Sequence, residues 1–290
     1  MYLLQEQNLY LLLRIVELSK EQRVIRFILF LIKKFDKVVY VHGKATARCP
    51  NTFICDKGKN KYLVVAGKSN IQKFYIRRSI KMQKKFADDL SEYFYFNFPI
   101  DTSEKYGVLY VIYNYFSDIL DCKTDEPIRF LTEAYEKYAS TVIVSDDSIR
   151  KTINKFFEAW PPEYHSRIIK LETFQTYIRL LRKQEKLIMY FEHGDFTSNN
   201  IVHRGSKIYL LDFEFSNEFQ PIGLDEYDFY MSINKELCQE EIGKAKHILC
   251  DNINQIMDWN CHYKRIRMVE MILYSCVIKA MIIWKTFSLR

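Results

Sequence analysis

The chain has 290 residues and a mass of 34.9 kDa, a length that suits one large domain or two lobes. Apolar residues make up 48% and charged residues 27%, which excludes a disordered chain, and only 8 Gly and 6 Pro exclude a collagen-like or linker-dominated one. Its 43 basic and 36 acidic residues leave a net charge of +7, which favours anionic partners without choosing among them.

The cysteines and the apolar runs indicate the cellular compartment in which we expect the chain. Seven cysteines occur without a C-x-x-C pair, and no cleavable signal peptide is recognisable, so we expect buried, reduced thiols. The six histidines do not cluster with them at the spacing of a zinc site. The two most apolar windows, 27–32 and 271–278, are shorter than the ~20 residues that cross a bilayer. We therefore predict a cytoplasmic chain without a membrane span.

The N-terminal segment, residues 3–35, is predicted to be helical. Its part from Arg23 to Lys34 is apolar with basic residues at both ends. Such a helix can lie on an anionic membrane surface, or it can pack on the domain that follows, which is the commoner role of an amphipathic helix. The sequence leaves both interpretations open.

From about residue 50 the pattern becomes that of a sheet. Turns are indicated at 56–60 and 67–70, and a helix is predicted from about 80 to 95. Short β runs are predicted at 52–55, 62–65, 71–77, 96–99 and 108–113. This region therefore reads as a small antiparallel sheet with one inserted helix.

The remainder is mainly helical with two short β runs. The runs are Leu187–Phe191 and Lys207–Asp212, and Pro161-Pro162 interrupts the helices before them. Helices are predicted at 126–139, 147–158, 165–187 and over much of 224–287. The expected domains are an N-terminal helical segment 1–49, an N-lobe 50–115 and a helical C-lobe 116–290.

Two neighbouring motifs in that second half contain the residues of a phosphoryl-transfer site. The first is His193-Gly-Asp195-Phe-Thr-Ser-Asn-Asn200, and the second is Leu210-Leu-Asp212-Phe-Glu214. Phosphoryl transfer needs a carboxylate that faces the attacking hydroxyl, and it needs hard oxygen ligands for the Mg²⁺ that neutralises the phosphates. The apolar residues before Asp212 indicate a buried strand, so its carboxylate is expected at the rim of a dry core.

These motifs resemble those of the aminoglycoside phosphotransferase and choline kinase family, the small-molecule branch of the protein-kinase-like fold. The resemblance is closest over residues 193–228 and implies a bilobal α+β fold that binds ATP and Mg²⁺. It implies that Asp195 is the catalytic base and that Asn200 and Asp212 hold the metal. His193 would shape the loop, or simply pack.

Two further acidic positions carry weaker expectations. Glu214 is expected either to touch a second metal or to face solvent. Asp228 falls where such folds place an aspartate that hydrogen-bonds the catalytic loop, although a helix N-cap is the plainer role, which Asp225 would fill as readily.

The resemblance also implies a nucleotide site in the N-lobe. A lysine is expected on the third strand, and with 71–77 taken as that strand the candidates are Arg77 and Lys73, although Arg and Lys differ in how they bind phosphate. The helix partner would be Glu92, with Asp88 or Asp89 as rivals. The turn 56–60 would cover the nucleotide, and the hinge 113–116, which includes Asn114 and Tyr115, would meet the adenine.

These expectations combine into a kinase that phosphorylates a hydroxyl group of a small molecule or saccharide. A protein kinase proper is disfavoured because no Gly-rich loop or A-P-E segment occurs. The basic charge points to a neutral or anionic acceptor near a membrane, such as a sugar of the bacterial envelope, and to peripheral association with an anionic inner leaflet. The rival is an inactive kinase-like protein that binds a nucleotide or a partner. Nucleic acid is not an expected partner.

Overall fold

The computed structural model describes residues 22–41, 50–117, 119–122, 124–170 and 172–223, together with positions 225, 226, 229 and 232. The predicted helices before residue 22, and nearly all of that at 224–287, lie outside these residues. The chain divides into two compact units, of which the first contains residues up to 127 and 198–216 and the second contains 128–197 and residues from 217 onward. The domain boundaries expected from the sequence remain predictions.

The first unit is built on a five-stranded antiparallel sheet. Its strands in spatial order are β1 (Lys37–Val41), β2 (Asn51–Lys57), β3 (Asn60–Gly67), β6 (Val108–Asn114) and β5 (Asp101–Lys105). The strands predicted at 52–55, 62–65 and 108–113 are confirmed. β1 was not predicted, and it pairs with β2 over its whole length.

A helix packs on each face of this sheet because alternate side chains of a strand point to opposite faces. Helix α1 (Gln22–Lys34) buries Phe27 and Leu31 against the face that carries Val64 and Tyr110. Helix α2 (Asn70–Leu90) packs on the opposite face, which carries Val65, Leu109 and Val111. The predicted helical character of residues 23–34 is thus confirmed.

The strand predicted at 71–77 is wrong, because these residues form the first two turns of α2. Ser69 and Gln72 make reciprocal hydrogen bonds in a capping box, a helix-start signature. The buried residues of α2 recur with helical spacing: Gln72, Tyr75, Ile76, Arg78, Met82, Gln83, Phe86 and Leu90. Aromatic and β-branched residues at 71–76 favour a strand locally, but the cap and the longer period override that preference.

A second, smaller sheet in the same unit contains the hairpin that follows the first motif. Strands β10 (Ile201–Arg204) and β11 (Lys207–Leu210) pair antiparallel around a turn at Gly205. Two short strands flank them, β4 (Tyr95–Phe96) beside β11 and β7 (Leu120–Asp121) beside β10. Of the strand predicted at 96–99 only Phe96 is in a strand, and β4 pairs with β11 instead of β6.

The second unit combines helices with a three-stranded antiparallel sheet. Its strand order is β12 (Asn217–Pro221), β9 (Lys186–Glu192) and β8 (Ser140–Ile143). The helices are α3 (Glu126–Tyr138), α4 (Asp146–Glu158), α5 (Pro162–Ile169) and α6 (Glu172–Arg182). Helices predicted at 126–139 and 147–158 are confirmed, whereas the one predicted at 165–187 is two helices. Pro162 is the first residue of α5, where its missing N–H costs no hydrogen bond.

Candidate active site

The loop that carries Asp195 begins directly after β9 in the second unit. Its backbone is held by Asp225, whose Oδ2 accepts the N–H of His193 at 2.7 Å and whose Oδ1 accepts the N–H of Gly194 at 2.9 Å. Gly194 has a φ of 78°, which glycine adopts without strain. Asp225 therefore makes the contact that the sequence analysis assigned to Asp228, a residue outside the described part of the chain.

His193 is fully buried and contacts its own loop. Its Nδ1 accepts the N–H of Asp195 at 3.4 Å, and its ring lies edge-on to Phe196 at 5.9 Å. Phe196 packs in turn on Phe229 at 6.1 Å. These contacts fit the expectation that His193 shapes the loop, while Asp195 is half-buried at its end.

Three buried carboxyl groups lie together beneath this loop. Asp225 is joined by Glu192 and by Glu226, which accepts a hydrogen bond from the Tyr135 hydroxyl at 3.3 Å. Burial first, and then the charge of Glu192, raise the pKa of Asp225 well above its usual range, while the two backbone N–H groups oppose that rise. The same burial, with the charge of Glu226, raises the pKa of Tyr135.

Asn200 and Asp212 both lie at the open end of the β10–β11 hairpin in the first unit. Ile201 pairs with Leu210, and the N–H of Leu211 donates to the carbonyl of Asn200 at 2.9 Å, so Asn200 and Asp212 flank the last ladder bond. Asp212 is exposed and has a φ of 60°, a left-handed conformation that aspartate tolerates better than most residues.

This pair fits a magnesium ion by its chemistry. Mg²⁺ prefers hard oxygen ligands and is usually bound by one or two side chains together with substrate phosphates, and the pair supplies one carboxylate and one amide oxygen. Over the described ranges there is no cluster of three or more His, Cys, Asp or Glu that could hold a metal alone.

Helix α2 supports the segment that follows Asp212. Phe86 contacts Phe213 at 5.3 Å, and Tyr75 contacts Phe215 at 5.8 Å. The buried guanidinium of Arg78 donates to the carbonyl of Ser216. Glu214 is half-buried within this segment, so its side chain does not face solvent fully. These contacts show that α2 positions residues 213–216.

Tyr113 on β6 is a site residue that the sequence analysis treated only as part of the hinge. Burial, and after it the negative charge of Asp212, raise the pKa of the Tyr113 phenol far above its ordinary value of 10.0. The Tyr113 phenol therefore lies close enough to Asp212 for the charge of that carboxylate to affect its pKa.

The predicted nucleotide-binding residues lie in different surroundings from those expected. Lys73 and Arg77 are on α2 instead of a strand, and both pair with Glu104, at 2.8 Å and 3.7 Å. Glu92 lies in the turn after α2 and is exposed. The strand-register argument for Lys73 and Arg77, and the helix placement of Glu92, are therefore wrong.

The hinge residues lie where they were expected, at the end of β6. Asn114 is the last residue of the strand, and its carbonyl accepts a hydrogen bond from the Asn97 side chain at 2.9 Å. The N–H of Tyr115 donates to the carbonyl of Lys61 at 3.1 Å. Whether these residues meet an adenine stays a prediction.

The third strand along the chain is β3, and its face toward α2 is apolar. That face carries Leu63, Val65 and Gly67, and a side chain at Gly67 would meet Gln72 Cβ at 2.8 Å and Ile76 Cδ1 at 2.9 Å. By alternation Lys61 shares this face, but it lies at the exposed start of the strand. Within β3, no lysine therefore occupies the middle of this face.

Comparisons with solved structures find the same architecture in small-molecule kinases. The GDP complex of aminoglycoside 2'-phosphotransferase-IIIa has a TM-score of 0.56 at 10% identity, over 89% of this chain and 93% of that chain. The chain has the fold of these phosphotransferases. A variant of aminoglycoside phosphotransferase APH(4)-Ia, solved with ADP and hygromycin B, has a TM-score of 0.53 at 12% identity, over 87% of this chain and 91% of that chain. The expected protein-kinase-like α+β fold is thus confirmed.

Choline kinase LicA from Streptococcus pneumoniae shares the fold as well, with a TM-score of 0.50 at 12% identity, over 82% of this chain and 85% of that chain. No protein-family model and no curated protein matches the sequence. The likeness to known proteins is therefore one of fold.

Proposed function

We propose that the chain is an ATP-dependent phosphotransferase that phosphorylates a hydroxyl group of a small molecule or saccharide. The observation that carries this proposal is the hairpin end, where the ladder of β10 and β11 brings Asn200 next to Asp212. A left-handed conformation is uncommon outside glycine and recurs at functional sites, and here an exposed carboxylate adopts it beside a residue that offers an amide oxygen.

Asp195 is proposed as the catalytic base. It would accept the proton of the acceptor hydroxyl while that oxygen bonds to the γ-phosphorus and the bond to the departing ADP breaks. Its loop is suited to this role because Asp225 fixes the backbone on the preceding two residues, so the carboxylate is positioned before the acceptor binds.

Mg²⁺ is proposed to bind between Asn200 and Asp212, where it would neutralise charge on the nucleotide phosphates. The likeness to structures solved with ADP and with GDP supports a nucleotide donor. We propose ATP, and GTP is the donor to compare with it.

The acceptor is proposed to be a neutral or anionic saccharide, such as a precursor of the bacterial envelope, handled at the inner face of the membrane. This rests on the net charge of +7, which opposes a cationic acceptor and favours anionic surfaces. The similar structures include an aminoglycoside phosphotransferase and a choline kinase. Cationic acceptors are therefore the compounds against which transfer to saccharides should be compared.

A second candidate is a kinase-like protein that binds nucleotide without turnover. The specific observation in its favour is the apolar face of β3, which lacks a lysine in its middle to hold the phosphates. The two candidates differ in a measurable way, because both predict nucleotide binding but only the first predicts transfer.

The test is transfer of phosphate from ATP to glucose, heptose, galacturonic acid, choline and hygromycin B, in the presence and absence of Mg²⁺. We expect Asp195→Asn to lower the rate by about 10²–10⁴-fold, the usual contribution of a general base, while ATP affinity measured by calorimetry changes little. Asp212→Asn should lose Mg²⁺-dependent ATP affinity as well.

The matched control is Asp146→Asn, an exposed carboxylate in the first turn of α4. It should leave both rate and affinity unchanged. Normal turnover in Asp195→Asn would overturn the base assignment, and ATP binding without transfer to any acceptor would favour the second candidate.

A further inference from the structure

Helix α1 has two apolar faces, of which one packs on the sheet and the other is not covered by any of the residues that the structure describes. Val24, Phe27, Ile28 and Leu31 are buried against the sheet. On the other side of the helix, Leu29 is 51% exposed and Ile32 is 45% exposed. Apolar side chains that are exposed together on one side of a helix can mark an interaction surface.

The same outward side of α1 is basic. The helix contains no acidic residue, and Arg23, Arg26 and Lys33 are exposed on it. Lys34 differs from them, because its ammonium pairs with Asp101 at 3.0 Å and stabilises the contact of α1 with β5. By helical spacing the three exposed cations follow one side of this surface and the two exposed aliphatic side chains follow the other.

The β5–β6 hairpin extends this surface beyond the N-terminal end of α1. A Cβ built on Gly107 would lie 3.5 Å from Cδ and Nη1 of Arg23, so the tip of the hairpin is beside that arginine. The tip also carries Lys105, which is exposed, and Tyr106, which is 50% exposed. We define the α1 face as six residues: Arg23, Arg26, Leu29, Ile32, Lys33 and Tyr106.

We propose that the α1 face binds the surface of a bilayer that contains anionic phospholipid. Arginine and lysine attract anionic headgroups, each contributing near the surface, while Leu and Ile on the same helix can enter the headgroup–acyl boundary. Tyrosine is enriched at that interface because its ring is apolar and its hydroxyl polar. The α1 face supplies all three kinds of side chain on one rigid helix and the adjoining hairpin tip.

The charge of the α1 face argues against a second copy of this chain as its occupant. A two-fold interface brings the same surface of both subunits together, so it would bring the cations Arg23, Arg26 and Lys33 of one subunit near those of the other, with no acidic residue of α1 to neutralise them. Such like-charge contacts are costly, whereas an anionic bilayer neutralises them.

This inference does not depend on phosphoryl transfer, since every residue of the α1 face is outside the proposed catalytic set. If both proposals hold, the bilayer places the enzyme where a lipid-linked or envelope saccharide would be met.

The test is co-sedimentation of the full chain with vesicles of phosphatidylcholine alone and of phosphatidylcholine with phosphatidylglycerol. We expect binding to the mixed vesicles only, weakened by high salt. The double variant Arg26→Gln/Lys33→Gln should bind about 30-fold more weakly. The variant Leu29→Ser/Ile32→Ser should also weaken binding, since it removes the inserted apolar groups.

The matched control is Lys81→Gln/Lys84→Gln, which removes two exposed cations from α2 on the opposite face of the sheet. It makes the same change in net charge and should retain most of the binding. The proposal is overturned if the control loses as much as Arg26→Gln/Lys33→Gln, if neutral and anionic vesicles bind alike, or if neither binds. A dimer in sedimentation analysis that dissociates on Leu29→Ser/Ile32→Ser would overturn it as well, and thermal unfolding of each variant would confirm that it folds.

Discussion

The two motifs of the candidate active site are held in place by different means. The loop before Asp195 depends on one buried carboxylate, Asp225, which accepts two backbone N–H groups. The segment after Asp212 depends on a hairpin ladder and on three separate contacts with α2. In the first arrangement two buried backbone hydrogen bonds depend on the single residue Asp225, whereas in the second three residues of α2 each make one contact, so the loss of one side chain should cost less there.

The largest effect is expected at Asp225, since it alone accepts the N–H groups of His193 and Gly194 in the hydrogen bonds described above. Asp225→Ala leaves the N–H groups of His193 and Gly194 buried without their acceptor, so the free energy of unfolding should fall by about 3 kcal/mol. Phosphoryl transfer should fall with it, because the Asp195 loop loses its backbone support. Chemical denaturation measures the first effect. The control is Asp146→Ala on the surface of α4, and a loss no larger than that of the control would show that the loop is held by other contacts.

A smaller effect is expected at Arg78, because two aromatic contacts with α2 also support the segment after Asp212. Arg78→Met keeps an apolar stem but removes the donor to the Ser216 carbonyl, so the free energy of unfolding should fall by about 2 kcal/mol. Affinity for ATP with Mg²⁺ should weaken more than affinity for ATP alone, because Ser216 lies four residues beyond Asp212. Calorimetry with each ligand mixture measures this difference.

Arg77→Met is the matched control for that substitution. Its guanidinium is on the same helix, 64% exposed, and pairs with Glu104 at 3.7 Å, a kind of surface contact that contributes little. Equal loss in the two variants would mean that helix propensity, and not the Ser216 contact, explains the result.

The smallest effect is expected in the five-stranded sheet, away from both motifs, at the buried thiol of Cys55 on β2. Burial raises the pKa of the Cys55 thiol from 9.0 to about 12. In the unfolded chain the thiol ionises first, so the free energy of unfolding should fall as pH rises above 9, by about 1 kcal/mol between pH 8 and pH 10. In Cys55→Ala the free energy of unfolding should fall by about 1 kcal/mol less over this pH range. An unchanged pH profile in Cys55→Ala would show that Cys55 is accessible to water.

The sequence predicted the region from His193 to Glu214 better than it predicted the region of the five-stranded sheet. The residues from His193 to Glu214 could be interpreted because their two motifs contain the residue types that phosphoryl transfer needs and resemble those of a known family. The β run after Gly205 was predicted, whereas β10 before it was not, so the hairpin is a finding of the structure. Residues 71–77 were assigned wrongly because a short apolar and aromatic run has the same local composition in a strand and in a buried helix. The capping box at Ser69 and the helical periodicity up to Leu90 are the sequence signals that identify these residues as a helix.

Other parts of the site depend on contacts between distant residues and have no local signal. The contact of Asp225 with the loop could not be predicted, since the sequence offered Asp225 only as a helix N-cap and its hydrogen bonds join residues more than 30 positions apart. The roles of Arg78 and Tyr113 follow from the packing of α2 and β6 near Asp212, which no spacing in the sequence indicates.

The central claim is that Asn200 and Asp212 form a metal–nucleotide site. The most direct measurement is thermal unfolding of the chain and of Asp212→Asn with ATP alone, with Mg²⁺ alone and with both. A ligand at about 100 times its dissociation constant stabilises the folded state by roughly 2.7 kcal/mol. The account predicts such stabilisation in the unmodified chain only when both components are present, and its loss in Asp212→Asn. No stabilisation under any condition, or the same stabilisation in both proteins, would contradict it.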